Sequence, residues 1–577
     1  MGNVMRESEE FLKDFVGEPV YIRKSLNRYN VRCALRVGLY FVRLLSSELI
    51  TLRSSEHAMK FENGRAQKRP IHEVWSIAWP TVLTMTSHTI MQFVDKLMVG
   101  QVGPLEVAAQ GNGGMWAFTP MAIFLGFISV VNTYVSQNFG AGRPEEGPKY
   151  AWNGVWLSIA VWSIVLFPLA LLLPRIFSVI HTPGQDVEMM RLIRLESSYG
   201  QILLFGSLLT LIGRSMHQFF FGIQRPKIIT VSAFVGNTTN VLANYILIFG
   251  HRGIPHLGLP GIPGIPALGI YGAAIGTVIG TAVELIIPSS VFLGSRMHTE
   301  LKTRSAWRPA RKPIMDLMKI GWPPALQFGN EMICWAIFMT VLVGKFGPDH
   351  MTAAWIALSY MHLSFMPAVG FSVAVTSIVG KYIGARSPDT ALSRARLGLY
   401  LAMGYMTFCA LIFVAFRNSL ISAFVKGDVS PDQAARIVGI GAKLLICGAI
   451  FQLADAVGIV YTGALRGAGD TRWPGIVTVI YSWIFIVAGG WSITRFLPDF
   501  ESLGPWIAAA VYIIILGITM GYRFERGQWR SIRLVDSRTS QPPEINPIVA
   551  IPPGAESDMS SSGLSRWIRR FRKTAVS

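Results

Sequence analysis

Twelve predominantly apolar stretches dominate the sequence, at about 73–99, 112–138, 151–173, 195–220, 228–249, 269–293, 315–345, 352–379, 395–416, 437–461, 474–494 and 504–522. Each is long enough to cross a hydrocarbon layer of about 30 Å as a helix. Inside lipid the backbone must satisfy its own hydrogen bonds, so such runs form helices rather than open sheet. The expected fold is an all-α polytopic membrane protein of about twelve transmembrane helices. Composition supports this: only 15% of the 577 residues are charged, against roughly 25% in soluble chains. The four cysteines, Cys33, Cys334, Cys409 and Cys447, are scattered, with neither the spacing of a zinc site nor that of a disulfide framework.

The net charge of +19 would suggest nucleic acid in a soluble chain. Here residues 1–70 and 523–577 contribute +5 each, and much of the remainder lies in short loops between the runs. That is the positive-inside pattern, which reports orientation rather than a ligand. It predicts no nucleic-acid partner, contact with membrane lipid, and a multi-pass protein of the inner (cytoplasmic) membrane with both termini in the cytoplasm. The densest basic cluster between spans is Arg296, Lys302, Arg304, Arg308, Arg311, Lys312 and Lys319. The pattern has exceptions in Arg175, Arg191 and Arg194, and in Arg417, Lys426 and Arg436.

These features divide the chain into a basic N-terminal extension (1–70), a first six-helix lobe (71–294), a basic cytoplasmic linker (295–314), a second six-helix lobe (315–522) and a basic, polar tail (523–577). Arg32, Arg36 and Arg43 interrupt an apolar stretch in the extension. Two readings stay open there: a helix lying on the membrane surface, or translation starting at Met59.

The halves repeat. Trp79-Pro80 matches Trp322-Pro323, Gly126-Phe127 matches Gly370-Phe371, and Gly140-Ala141 matches Gly384-Ala385, at offsets of 243 or 244. The turns GIQRPK and GALRGAGDTR begin at Gly222 and Gly463, an offset of 241. Two halves with an even number of spans insert in the same direction, so the repeat is parallel. Two pseudo-symmetric six-helix bundles with a cleft between them follow.

A carboxylate inside a span is costly and usually marks function. Asp95, Glu284, Glu331 and Asp455 all lie within apolar runs. Burial disfavours the charged carboxylate, so such a group either carries a proton or holds a cation. Either property couples transport to an ion gradient. Asn240 and Asn244 are four residues apart on one helical face, placed to hydrogen-bond Asp95 or to line a polar pocket. No partner for Glu284 is visible in its sequence neighbourhood, so it reads as a helix-contact or snorkelling residue. His88 aligns with Glu331 in the repeat, and Asp95 falls near Phe338. Arg214 and His217, near the end of run four, read as snorkelling side chains.

Several segments resemble the multidrug and toxic compound extrusion (MATE) transporters, in their NorM-like branch, over about residues 73–522. They are FVDKLMVGQVG, VSQNFGAGR, VGKYIGAR, MPAVGFSVA and GALRGAGDT. The resemblance implies a secondary active antiporter, not an enzyme. Such a protein exports small organic cations and amphiphiles, such as drugs and toxic metabolites, in exchange for H⁺ or Na⁺, works as a monomer and needs no cofactor beyond the coupling ion. Asp95 falls on the amino-lobe carboxylate of that family, with Asn240 and Asn244 beside it. Glu331 and Asp455 fall on its carboxy-lobe pair, where Na⁺ is one candidate ligand. Some sodium-coupled members carry Tyr four residues before the tenth-span Asp. Here it is Phe451, so Gln452 or backbone carbonyls would have to supply the missing oxygen. That difference favours a proton.

Two alternatives remain. A lipid-linked oligosaccharide flippase of the same superfamily would need Arg or Lys in its cleft to hold pyrophosphate, whereas these spans offer carboxylates. A membrane-embedded lipid enzyme would need a nucleophile–base pair or metal spacing, and the sequence shows no such set. It contains no GxxxxGK[ST] motif either.

Overall fold

The computed structural model describes residues 70–180, 187–254, 258–425 and 430–535. Both readings of the N-terminal extension, and most of the polar tail, lie outside the described residues. The described chain is helical, and its only extended pairing is an isolated bridge between Ile254 and Leu259.

Twelve rods run back and forth. They are α1 (Pro70–Gly100), α2 (Leu105–Gly140), α3 (Pro144–Val179), α4 (Val187–Gly222), α5 (Pro226–Asn244, continued by a π turn Tyr245–Phe249), α6 (Ile270–Phe292), α7 (Arg311–Phe346), α8 (Pro348–Gly384), α9 (Pro388–Ala415), α10 (Pro431–Ala468), α11 (Arg472–Phe496) and α12 (Leu503–Glu525). Proline opens several of them, at Pro226, Pro348, Pro388 and Pro431. Its missing N–H costs nothing in the first turn. Residues 70 and 535 lie at the same end of the bundle, called here the terminal end.

Ten of the twelve rods are long and apolar enough to span a membrane by length and composition. The two others, α1 and α5, are long enough but more polar, with Thr, Ser, His, Asp and Asn along them. The two least apolar rods pack against each other.

Within the first lobe α4 packs on α2, α3 and α6, and α5 on α1 and α6. The second lobe repeats this, with α10 on α8, α9 and α12, and α7 on α11. The lobes interlock crosswise, α1 against α8 and α7 against α2. The repeated glycines sit at these crossings. A Cβ on Gly126 would lie 2.4 Å from the backbone of Ala325, and one on Gly370 would lie 2.6 Å from that of Val82. On Gly140 it would lie 1.8 Å from the Lys381 carbonyl oxygen, and on Gly384 2.0 Å from that of Gln137. Each contact is the repeat image of its partner. The motif glycines therefore allow backbone-to-backbone contact between lobes, as small residues do in membrane helix packing.

One sequence alignment is corrected. The structural equivalent of Gly222 is Gly467, not Gly463. Gly222 lies against α2 near the Asn132 carbonyl, and Gly467 lies against the Thr376 carbonyl of α8, an offset of 245 for the glycines and 244 for the residues they meet. Both close α4 and α10 at the terminal end, before Pro226 and Arg472 begin the next rods.

Side-chain bonds between the lobes gather at the terminal end. Thr133 Oγ1 donates to the Arg466 carbonyl at 2.9 Å, and its image Ser377 Oγ donates to the Phe221 carbonyl at 2.5 Å. Gln137 Nε2 donates to the Gly467 carbonyl at 2.9 Å. The segment between the lobes is not a free linker. It forms a short helix, Ser295–Leu301, and a 3-10 turn, Thr303–Ala306. Trp152 and Trp156 of α3 donate their indole N–H groups to the carbonyls of Thr303 (2.8 Å) and Trp307 (2.7 Å). The Ala310 N–H donates to Asn153 Oδ1 at 2.8 Å.

Candidate functional site

The first group of polar residues lies where α1, α5 and α6 meet. Asp95 is 7% exposed, and Asn240 and Asn244 are buried. Asn244 Nδ2 donates to Asp95 Oδ1 at 2.7 Å and approaches Asn240 Oδ1 at 3.4 Å. The four-residue spacing on α5 thus does what the sequence predicts, stacking both amides beside the carboxylate. Asn240 Nδ2 reaches Thr277 Oγ1 of α6 at 3.4 Å. Small residues on α6 make room: a Cβ on Gly276 would fall 2.0 Å from Asn244 Oδ1, and one on Gly280 would fall 2.6 Å from the Asn240 Cβ. Asn244 Oδ1 itself has no hydrogen-bond partner. A buried carboxylate beside an unpaired amide oxygen is a site with acceptors in excess. It suits an added proton or a small cation.

The second group lies in the other lobe and is built differently. Glu331 of α7 and Asp455 of α10 are both half-buried, and each lies within the electrostatic reach of the other. Gln327 Nε2 donates to Glu331 Oε1 at 3.2 Å, one turn away on the same helix, and the Arg466 guanidinium also acts on Glu331. Gln452 does not join them. It is buried and donates its amide to Ser364 Oγ of α8 at 2.8 Å. The amide nitrogen of Gln452 is thus engaged by α8. Phe451 is buried in the apolar core of the second lobe. Among the described residues no three His, Cys, Asp or Glu side chains come together so as to hold a metal ion. Na⁺ at Glu331 and Asp455 would have to draw its remaining donors from neutral oxygens.

Glu284 makes helix contacts through its carboxylate. It has partners, and they come from other helices. Glu284 Oε1 lies 3.3 Å from His88 Nε2 of α1 and 3.5 Å from His217 Nε2 of α4. His217 is 4% exposed, so it does not snorkel. The available signal was the occurrence of three ionisable residues in three spans of one lobe.

Sequence reasoning also passed over Glu73, in the first turn of α1. It is buried against the other lobe, where Lys381 Nζ reaches Oε1 at 3.0 Å and Arg394 Nε reaches Oε2 at 2.9 Å. The Tyr382 hydroxyl donates to the same carboxylate at 2.8 and 2.9 Å. The image of Glu73 in the second lobe is Asp316, which accepts from the Tyr150 hydroxyl at 3.0 Å through its side chain and from the Tyr134 hydroxyl at 3.2 Å through its carbonyl.

Comparison with known proteins gives one family. The MatE family profile matches residues 80–246 and 331–491, together more than half of the chain. The chain is 26% identical over 462 residues to the probable multidrug resistance protein NorM of Mannheimia succiniciproducens, covering 79% of this chain and 93% of that relative. An outward-facing multidrug resistance MATE family transporter of the MOP superfamily superposes with a TM-score of 0.68 at 18% identity, covering 79% of this chain and 95% of the other. A MOP superfamily transporter from Pyrococcus furiosus, described as having a binding pocket of reverse polarity, superposes with a TM-score of 0.69 at 17% identity, covering 82% and 100%.

Proposed function

Because the chain belongs to the MatE family, we propose that it is a multidrug efflux transporter that expels organic cations and amphiphilic compounds in exchange for an ion. The observation that carries the ion-coupled reading is the buried Asp95 carboxylate held by Asn244 at 2.7 Å beside an unpaired amide oxygen. The coupling ion in this reading is H⁺. A proton needs one buried carboxylate, whereas Na⁺ needs several oxygen ligands. The protein acts as a monomer in the inner (cytoplasmic) membrane with both termini in the cytoplasm.

In this reading the interlocked terminal end is the cytoplasmic gate, closed in the present conformation. A proton arriving from the opposite side binds at Asp95, at the Glu331/Asp455 pair, or at both. Ion binding lowers affinity for the exported compound, and the lobes then rock so that the terminal end parts. Coupling requires the ion and the compound to prefer different conformations. Aromatic side chains of the cleft hold the cation through their ring faces.

The test is efflux of a cationic dye from vesicles containing the purified protein, under an imposed pH gradient and then a Na⁺ gradient. Asp95→Asn, Glu331→Gln and Asp455→Asn are compared with the unaltered chain. Dye movement driven by the pH gradient alone, and lost in Asp95→Asn, supports proton antiport. Driving by Na⁺ alone overturns the choice of ion. No dye movement under either gradient overturns the organic-cation reading.

A further inference from the structure

One cluster of ionisable residues in the first lobe lies apart from the two coupling carboxylate groups. His88, His217 and Glu284 converge from α1, α4 and α6, with both imidazole Nε2 atoms within 3.5 Å of Glu284 Oε1. All three of these atoms are buried without a hydrogen-bond partner. Among the described residues, Arg214, three residues before His217 on α4, is a further charged group acting on the cluster. From α5 the neighbour is Ser232, which is not titratable and whose hydroxyl donates to the Glu284 backbone carbonyl rather than to its carboxylate.

With both rings neutral and their hydrogens on Nε2, each can donate to Glu284 Oε1, and the cluster then carries the single negative charge of the carboxylate. One proton among the three creates a charge-assisted bond. A buried charge without a counter-charge is costly, so a carboxylate flanked by two imidazoles favours taking one proton up. A metal ion is not the ligand indicated, since the trio is not disposed to hold one.

We propose that Glu284, His88 and His217 form a proton-binding site in the first lobe, separate from Asp95. Its place in the bundle gives it a role. His88 precedes Asp95 by seven residues on α1, two turns or about 10 Å toward the terminal end. Glu284 lies eight residues from Gly276, which packs on Asn244. Between the two sites, Asn237 Nδ2 donates to Ser87 Oγ at 2.6 Å and Asn240 Nδ2 reaches Thr277 Oγ1 at 3.4 Å. A polar strip thus runs along α1, α5 and α6 from Asp95 to the trio. The trio is the station a proton reaches after Asp95 on its way to the terminal face. Proton binding by the trio stands independently of the antiporter reading, while its place on a route rests on that reading.

The experiment is a pH titration of the full-length protein, labelled with ¹⁵N-histidine and held in lipid nanodiscs. His88→Gln and His217→Gln identify the two rings by the signals they remove. The expected result is that both rings change protonation or tautomer together between about pH 4 and pH 8, and that Glu284→Gln shifts their midpoints at least tenfold in proton concentration. Should Glu284→Gln not fold, Glu284→Asp withdraws the carboxylate by one methylene and serves the same comparison. Rings that keep one state over the whole range, or that ignore the change at Glu284, overturn the site. A second arm follows pH-driven dye efflux, where Glu284→Gln is expected to slow the initial rate at least threefold and flatten its pH profile. An unaltered profile overturns the relay role even if the rings titrate. Efflux absent from the unaltered chain overturns the antiporter reading and leaves the titration to decide the site.

Discussion

At one level of the two lobes the same hydrogen bond is made twice, with its residues exchanged. In the first lobe Asn237 of α5 donates to Ser87 of α1 at 2.6 Å, and in the second Asn330 of α7 donates to Ser482 of α11 at 2.7 Å. The next residue along is His88 in one lobe and Glu331 in the other, and seven residues later Asp95 faces Asn244 where the second lobe begins a π turn at Phe338. The repeat therefore preserves positions and contacts while the chemistry placed on them diverges. In the first lobe Asp95 is buried and held by one fitted amide bond. The second holds two half-buried carboxylates, which repel each other when both are ionised. A fastened acid is prepared for one ion, whereas a repelling pair gains most when either member is neutralised.

The largest expected effect tests that contrast directly. Asp95→Asn should reduce ion-driven efflux at least 100-fold, and either Glu331→Gln or Asp455→Asn about tenfold, measured as initial rates in vesicles. Equal losses in the three variants would break the contrast and make the lobes functionally equivalent.

The terminal clasps come next. Glu73→Gln leaves Lys381 and Arg394 buried without their counter-charge, at a cost of about 3–5 kcal/mol. Asp316→Ala gives up the hydrogen bond from Tyr150, at about 1–2 kcal/mol. Thermal unfolding followed by tryptophan fluorescence should show the first variant several degrees below the second.

Interlobe glycines should behave as a matched pair. Gly140→Ala and Gly384→Ala each press a Cβ onto a carbonyl of the other lobe and should destabilise by about 1–3 kcal/mol. A midpoint shift in only one of them would show that the crosswise contacts are not equivalent.

The smallest effects separate two amides. Asn244→Ala removes a hydrogen bond to a carboxylate, about 1.5–3 kcal/mol, and should move the proton dependence of efflux roughly tenfold or more. Gln452→Ala loses a neutral bond to Ser364 and should lower stability by about 1 kcal/mol without moving that dependence.

Much of this was legible because periodicity and local spacing carry it. The apolar runs, the glycine pairs at offset 244 and the i, i+4 amides of α5 all reappear as rods, interlobe crossings and the Asp95 contact. What stayed hidden depends on where distant helices meet. Glu284 takes its partners from residues 196 and 67 positions away. The orientation of Gln452 is set by the packing of α10 on α8, not by its nearness to Asp455 in sequence. Glu73 looks like any acidic residue favoured in a first helical turn, and only the tertiary fold sets two cations beside it. Gly463 and Gly467 lie in one turn-rich motif and both touch α8; a Cβ on Gly467 would meet the Thr376 carbonyl, the repeat image of the Asn132 carbonyl beside Gly222, whereas one on Gly463 would first meet Ser372.

The three bonds that fasten residues 303–310 to α3 have a mechanical consequence. The last anchored residue, Ala310, directly precedes the first residue of α7. The second lobe thus has a pivot rather than a tether and cannot drift away from the first in translation. It has to turn about that point. A 36-residue rod such as α7 is a lever arm of about 54 Å at 1.5 Å per residue. A rotation of about 5° at the pivot would carry its far end about 5 Å, the diameter of a slender organic cation, while the chain at the pivot itself hardly moves.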